Sequence, residues 1–191
     1  MAKLRYRYGA MGSSKTALAL MLAYNYREKG MRALLAKPEA DTRSTKIWSR
    51  VGIEAECIGL SELCGMSLDE ISAYDCVIVD EVQFATEEQV GFLAGIVDHL
   101  GVPVFAYGLK TDYRGLLFEG SKRMLELADE VEEIECACWC GAAAKFSAKV
   151  SPDGEIIRNG DDAIEIDEIG DKGPHYVALC RKHYMSGRVS R

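Results

Sequence analysis

The residues of this 191-residue chain with the clearest chemical potential form one short segment. The segment reads Gly9-Ala10-Met11-Gly12-Ser13-Ser14-Lys15-Thr16. It follows the phosphate-binding pattern G-x-x-x-x-G-K-[ST], except that Ser14 takes the place of the second glycine. In such a loop, backbone N–H groups face an anion, the lysine reaches the β- and γ-phosphates, and the last hydroxyl group binds Mg²⁺. The segment therefore predicts a nucleoside triphosphate site, with an ordinary Gly/Ser turn as the alternative.

Two adjacent acids form the second feature. Asp80 and Glu81 directly follow the apolar run at 76–79, which is typical of a buried parallel strand. In phosphoryl transfer, one carboxylate at this place orients Mg²⁺ and a neighbouring one can act as general base. A strand that runs into a polar loop would look the same. Because a phosphate loop precedes the pair, we interpret both features as parts of one site at the carboxyl edge of a sheet.

Four residues in the last third of the chain have the types that bind zinc. They are Cys138, Cys140, Cys180 and His183. Three thiolates and one imidazole complete a tetrahedral Zn²⁺ shell with no open position, which is typical of a structural site. Cys136 is a competing ligand, and unrelated buried cysteines are the alternative interpretation.

The elements that must position these residues alternate between strands and helices. Strands are predicted at 4–8, 31–36, 76–79 and 102–107, and helices at 17–29, 86–99 and 121–129. This order predicts an α/β fold with a P-loop NTPase-type parallel sheet over residues 1–135. Residues 136–191 are expected to form a small C-terminal zinc-binding domain. It would include a long loop at about 150–175, where residues 151–171 hold eight acids and one base.

The composition excludes some classes of function. Thirty acidic and 23 basic residues give a net charge of −7, which argues against a general nucleic-acid binder. No apolar run approaches the roughly 20 residues of a membrane helix, so we expect no membrane partner. The N-terminal residues lack the pattern of an export signal, and paired cysteines in the reducing cytosol more often bind metal than form disulfides. We therefore expect a cytoplasmic protein.

Aromatic and basic residues cluster from the end of the last predicted strand of the sheet onwards. Tyr107, Tyr113 and Phe118 alternate with Lys110 and Arg114. This combination suits a planar ligand next to phosphates, and core packing of the rings is the alternative.

Taken together, these motifs resemble those of the type II (cellular-type) thymidine kinase family over roughly residues 3–186. The resemblance covers the phosphate loop, Asp41-Thr42-Arg43, Asp80-Glu81-x-Gln83-Phe84, the run from Tyr107 to Gly115, Phe118-Glu119-Gly120-Ser121, and both metal-ligand pairs. Val82 stands where the family usually has glycine.

The resemblance implies transfer of the γ-phosphoryl group of ATP to the 5′-hydroxyl group of thymidine or deoxyuridine, in pyrimidine deoxynucleotide salvage. It implies that Glu81 is the general base. By the same resemblance, ATP and Mg²⁺ are bound by residues 9–16 with Asp41, Arg43, Asp80 and Gln83. The nucleoside is enclosed by Met11, Leu109, Tyr113, Phe118, Ile166, Asp167, Glu168, Ile169, Gly170 and Tyr176, with the acidic stretch as a lasso-like loop. A homotetramer that thymidine triphosphate inhibits is also implied.

Two other functions stay open at this point. One is a P-loop ATPase that drives a protein or DNA partner, although the net charge weighs against DNA. The other is a weakly active regulatory relative, because Ser14 and Val82 depart from the motifs. ATP turnover that depends on a nucleoside distinguishes the kinase from both.

Overall fold

The computed structural model describes residues 1–39, 46–160 and 173–191. Its strands are β1 (Leu4–Tyr8), β2 (Ala33–Lys37), β3 (Lys46–Trp48), β4 (Glu54–Glu56), β5 (Ile58–Gly59), β6 (Cys76–Val79), β7 (Val104–Gly108), β8 (Glu130–Glu133), β9 (Phe146–Val150) and β10 (His175–Leu179). Six of them form one parallel sheet in the order β5-β2-β6-β7-β1-β8. The predicted parallel α/β sheet is thus confirmed.

Helices connect these strands. They are α1 (Lys15–Glu28), α2 (Leu60–Gly65), α3 (Leu68–Ser72), α4 (Glu87–Gly95), α5 (Glu119–Leu127) and α6 (Arg181–Ser186). A 3₁₀ turn at Val82–Phe84 precedes α4, which continues as a π-helical turn at Ile96–Leu100. A capping box begins α4: the Thr86 hydroxyl group accepts from the Gln89 N–H group, and the Gln89 side chain accepts from the Thr86 N–H group.

The helix predicted at 121–129 begins two residues earlier, at Glu119, and ends at Leu127. Gly120 explains the difference. A Cβ atom on Gly120 would lie 2.3 Å from the Val82 carbonyl oxygen, so only glycine lets the first turn of α5 approach that backbone so closely. Tertiary packing therefore outweighs the low helix propensity of glycine.

The core lies on both faces of the large sheet. Val77 and Val79 pack with α4 and α5 on one face, whereas Ile78 packs with α1 on the other. All four residues of β6 are buried, as a central parallel strand requires. Because helices pack on both faces of the sheet, the carboxyl ends of β1, β6 and β7 are held at fixed positions along one edge of that sheet.

β9 and β10 form a separate antiparallel sheet beside α6. The large sheet ends with β8 at Glu133, and the next strand, β9, belongs to this smaller sheet. The domain boundary predicted near residue 136 stays a prediction. The described part of the acidic stretch, 151–160, contains no helix and no named strand, although Ile156 makes one bridge to Val150.

None of the helices in the described ranges combines the length and apolar character needed to cross a membrane. The predicted cytoplasmic location stays a prediction.

Candidate active site

The predicted phosphate loop, residues 9–16, joins the carboxyl end of β1 to the first turn of α1. Gly12 and Ser14 have positive φ angles of 77° and 61°, so the chain turns tightly at both. Ser14 occupies the N-cap position of α1 but its side chain makes no capping hydrogen bond, and the first turn holds no acid. By contrast, α3 and α4 have capping boxes and acidic first turns. The N-terminus of α1 is therefore suited to a bound anion.

Lys15 is buried, and its ammonium group donates to oxygen atoms of its own loop. The distances from Nζ are 3.2 Å to the Gly9 carbonyl oxygen, 2.9 Å to the Ala10 carbonyl oxygen and 3.2 Å to Ser13 Oγ. Burial lowers the pKa of Lys15, and the negative charges of Glu81 and Asp80 oppose that effect. Charge-assisted bonds to phosphate can replace those that Lys15 makes to neutral oxygens.

Asp80 and Glu81 follow β6 at the same edge of the sheet as the phosphate loop. The Asp80 N–H group donates to the Ala36 carbonyl oxygen at 3.0 Å, so the register of β6 fixes this residue. Burial and the charge of Glu81 raise the pKa of Asp80, whereas a hydrogen bond with the Thr16 side chain and the charge of Lys15 oppose the rise. A cation bound beside Asp80 would favour its charged form.

Glu81 itself has a left-handed backbone conformation, with φ 55° and ψ 34°. The 3₁₀ turn that follows buries Gln83, whose side chain bridges two segments. Its Nε2 atom donates to Glu81 Oε2 at 2.5 Å, and its Oε1 atom accepts from the Leu109 N–H group at 2.9 Å. Gln83 was predicted among the ATP and Mg²⁺ ligands. In the structure its amide group joins the predicted base to a predicted nucleoside contact.

The described residues predicted to enclose the nucleoside lie on separate segments. Met11 is in the phosphate loop, Leu109 and Tyr113 follow β7, Phe118 precedes α5, and Tyr176 is on β10. Phe118 packs edge-to-face on Phe84, with ring centroids 5.6 Å apart. The Lys149 ammonium group lies 5.3 Å from the centroid of the buried Tyr113 ring, and Tyr176 pairs with Lys149 across β9 and β10. Lys149 is therefore a neighbour of both predicted nucleoside contacts, Tyr113 and Tyr176.

The proposed aromatic and basic cluster is assembled only in part. Tyr107 is fully buried in the sheet and accepts a hydrogen bond from Arg7 at 3.1 Å, so core packing explains this ring. Lys110 lies over the ring of Tyr8, 5.3 Å from its centroid. Arg114 forms an ion pair with Asp112 at 2.7 Å and donates to the Gly160 carbonyl oxygen at 3.0 Å.

Sequence reasoning missed one residue that shapes the phosphate loop. Ser147 is buried on β9, and its hydroxyl group accepts from the Met11 N–H group at 2.9 Å. Ala10 is buried in the apolar cluster of the small sheet, so the tip of the loop packs against that sheet. No motif marks Ser147. The available signal was the alternation of polar Ser147 and Lys149 with apolar neighbours along β9.

Several predicted residues lie outside the described part of the chain. They are Asp41 and Arg43 on the phosphate side, and Ile166, Asp167, Glu168, Ile169 and Gly170 on the nucleoside side.

The predicted metal ligands meet where β10 joins α6, and their ligand atoms lie within 4.8 Å of one another. His183 Nδ1 is 3.4 Å from the Sγ atoms of both Cys138 and Cys180, and Cys140 Sγ is 4.0 Å from Cys180 Sγ. Zn–S and Zn–N bonds of about 2.3 and 2.0–2.1 Å imply tetrahedral edges of about 3.6 Å for S···N and 3.8 Å for S···S. The cluster can therefore hold a metal ion such as zinc.

Cys136, the competing ligand, is not part of this cluster. Its Sγ atom lies 3.9 Å from the Met11 carbonyl oxygen, on the side of the phosphate loop. Trp139 stacks on the His183 ring at 4.1 Å between centroids, which restricts the orientation of the imidazole. Such outer contacts orient metal ligands.

Comparison with known proteins gives matches over almost the whole chain. A family model described as "Thymidine kinase" matches residues 2–184. A thymidine kinase of Rhodopirellula baltica is 41% identical over 198 residues, which cover 100% of this chain and 92% of that protein. One from Enterobacteria phage T4 is 42% identical over 193 residues, 96% of each chain. One from Legionella pneumophila (strain Lens) is 38% identical over 199 residues, covering 100% of this chain and 93% of the relative.

Proposed function

Because the chain belongs to the thymidine kinase family, we propose that it transfers the γ-phosphoryl group of ATP to the 5′-hydroxyl group of thymidine. Deoxyuridine, which lacks only the 5-methyl group of thymidine, is the second expected acceptor. The product is a nucleoside 5′-monophosphate, so the enzyme acts in pyrimidine deoxynucleotide salvage.

In the proposed reaction, Glu81 accepts the proton of the 5′-hydroxyl group while that oxygen attacks the γ-phosphorus atom. A bond forms between O5′ and phosphorus as the bond to the β-phosphate oxygen breaks, and the electron pair leaves with ADP. Lys15 exchanges its loop oxygens for phosphate oxygens and offsets their charge. The N–H groups at the start of α1 hold the same phosphates.

Thr16 and Asp80 are the residues that we propose to hold Mg²⁺ with ATP. A hydroxyl and a carboxylate oxygen are ligands that Mg²⁺ prefers, and the Thr16 side chain is near enough to Asp80 to oppose the rise in the pKa of that carboxyl group. When bound, Mg²⁺ supplies neutralisation of the charge on the phosphates. Asp41 and Arg43 stay proposed contacts on the same side.

One observation carries this proposal: a buried lysine, an uncapped helix N-terminus and two carboxylates share one edge of the sheet. The charges of Asp80 and Glu81 act on the pKa of Lys15, so the three groups are close in space. Such a site is suited to a polyanion with its cation, and the carboxylate next to it can accept a proton.

The test is a screen of the four deoxynucleosides with ATP and Mg²⁺, with product detected as the 5′-monophosphate. We expect thymidine, followed by deoxyuridine, to be phosphorylated. Glu81→Gln should bind both substrates but lose about 10²–10⁴-fold in kcat, the usual contribution of general acid–base catalysis. ATP hydrolysis that ignores the nucleoside would instead support a P-loop ATPase, and ATP binding without turnover would support a regulatory relative.

The metal cluster is proposed to hold structural Zn²⁺. Four protein ligands fill a tetrahedral shell, so the ion stabilises the small sheet and takes no part in phosphoryl transfer. Metal analysis of freshly purified, reduced protein should find about one zinc per chain.

The expected homotetramer stays a proposal as well. Leu18, Met21 and Tyr24 on α1 are exposed, and together they form an apolar strip of the kind that self-association covers. Light scattering should give the mass of four chains, and Met21→Glu should lower that mass if α1 lies in the interface.

A further inference from the structure

We infer that Gln83 is a positioning residue: it holds the carboxylate of Glu81 and the backbone of Leu109 in one hydrogen-bonded unit, and acts through them rather than by binding ATP. The inference rests on the proposed role of Glu81 as base. It assigns to this glutamine the orientation of the proton acceptor relative to the nucleoside.

The orientation of the Gln83 amide follows from its partners. The Leu109 N–H group can only donate, so the oxygen end of the amide must face it at 2.9 Å. The NH₂ end then faces Glu81 and donates to Oε2 at 2.5 Å. Gln83 is 2% exposed, so water has little access to replace either bond. A charge-assisted bond of this kind fixes the rotation of the carboxylate.

The supporting side of this unit is rigid. The Leu109 carbonyl oxygen accepts from the hydroxyl groups of Tyr6 at 2.7 Å and Ser121 at 2.6 Å, and both residues are fully buried. A Cβ atom on Gly108 would lie 2.6 Å from Gln83 Oε1, so glycine at the end of β7 leaves room for the amide group. The Leu109 peptide is therefore held on both sides, and Gln83 passes that rigidity on to Glu81.

Glu81 needs such support because of its backbone. Its φ of 55° lies in a region that side-chain-bearing residues seldom occupy. A small rotation of this turn would displace the carboxylate. A misplacement of about 1 Å at a reacting group can cost about 10²-fold in rate, so an orienting bond matters more here than in a regular strand.

The first test replaces Gln83 by methionine, which has nearly the same length but no amide group. We expect kcat to fall by about 10- to 100-fold, with KM for ATP and thymidine within about threefold of wild type. Gln89→Met is the matched control. That amide also makes two hydrogen bonds, because it accepts from the Thr86 N–H group and donates to Ser61 Oγ, but neither partner belongs to the predicted site, so kcat should be retained.

The second test is a double-mutant cycle. In the Glu81→Gln background, where we expect turnover that is reduced but measurable, Gln83→Met should change kcat by no more than about twofold, because one residue acts through the other. A loss that multiplies with that of Glu81→Gln, together with a raised KM for ATP, would mean direct contact with ATP and would overturn the inference.

Gln83→Asn keeps the inference testable if the methionine variant does not fold. It retains an amide group that can pair with one partner, but the side chain is one methylene shorter and cannot reach both the Leu109 N–H group and Glu81. We expect a higher Tm than that of Gln83→Met and a similar loss of kcat. Full kcat in this variant, with Glu81→Gln impaired, defeats only the role of Gln83. Full kcat in Glu81→Gln defeats the role of Glu81 as base, whereas wild-type protein that phosphorylates none of the four deoxynucleosides defeats the proposed function itself.

Discussion

Replacing Ser14 by glycine should stabilise the protein. Ser14 has φ 61° and ψ 22°, a left-handed conformation in which a Cβ atom costs about 1–2 kcal/mol. Glycine makes the unfolded chain more flexible, which offsets about 0.4–1 kcal/mol of that gain. The serine side chain is exposed and makes no capping hydrogen bond, so little else is lost. We therefore expect the free energy of unfolding to rise by about 0.5–1 kcal/mol.

For a chain of this length, that change corresponds to a rise of about 1–4 °C in Tm. Urea denaturation should show the same gain as a higher midpoint with an unchanged slope, because the surface exposed on unfolding stays the same. Both measurements are made without ligand, so that substrate binding does not contribute to the difference.

Ser14→Ala is the control for this reasoning. It removes the hydroxyl group but keeps the Cβ atom at the same positive φ, so it should give no gain. If Ser14→Gly is less stable than wild type, or if Ser14→Ala is equally stabilised, then backbone strain at residue 14 is not what the substitution relieves.

Three further predictions concern the charge, the metal and the acidic stretch. Lys15→Ala should abolish phosphoryl transfer, because the lysine charge offsets the crowded phosphates; near-wild-type turnover would remove Lys15 from the site. Cys180→Ser should release zinc and lower Tm, while kcat/KM stays near the wild-type value at a temperature where the variant is folded. Cys64→Ser, outside the cluster, should neither release zinc nor lower Tm. Trypsin should cut after Arg158, the only base in 151–171, more slowly with saturating thymidine, and equal rates would mean that another segment closes the pocket.

Regular elements were predictable where one local signal dominated. β6 is apolar throughout and lies buried between two strands, and α4 begins directly after Thr86, the first residue of the helix predicted at 86–99. The start of α5 was not predictable in the same way. It depends on the backbone of residues 82–85, which approaches Gly120 only in the folded chain. Sequence spacing carries no information on that approach.

The metal site shows a similar limit. Cys136, Cys138 and Cys140 alternate along the chain and offer the same ligand type, so spacing alone could not choose among them. In the structure a turn closes after Cys138, where the Gly141 N–H group donates to its carbonyl oxygen at 2.8 Å. That turn brings Cys138 and Cys140 together and leaves Cys136 facing the phosphate loop. The direction of the backbone thus determines which of the three cysteines are metal ligands.

The two departures from glycine, Ser14 and Val82, have opposite physical consequences. Val82 does not have a positive φ, because the left-handed conformation falls on Glu81 instead. Its side chain is fully buried in the core under α5, so the valine contributes apolar burial of about 1.5–3 kcal/mol that glycine would not provide. Ser14 retains the strained φ and buries nothing in return. Val82 is therefore compatible with the turn that carries Glu81, the predicted general base. The backbone strain that remains in the site lies at Ser14 in the phosphate loop and at Glu81.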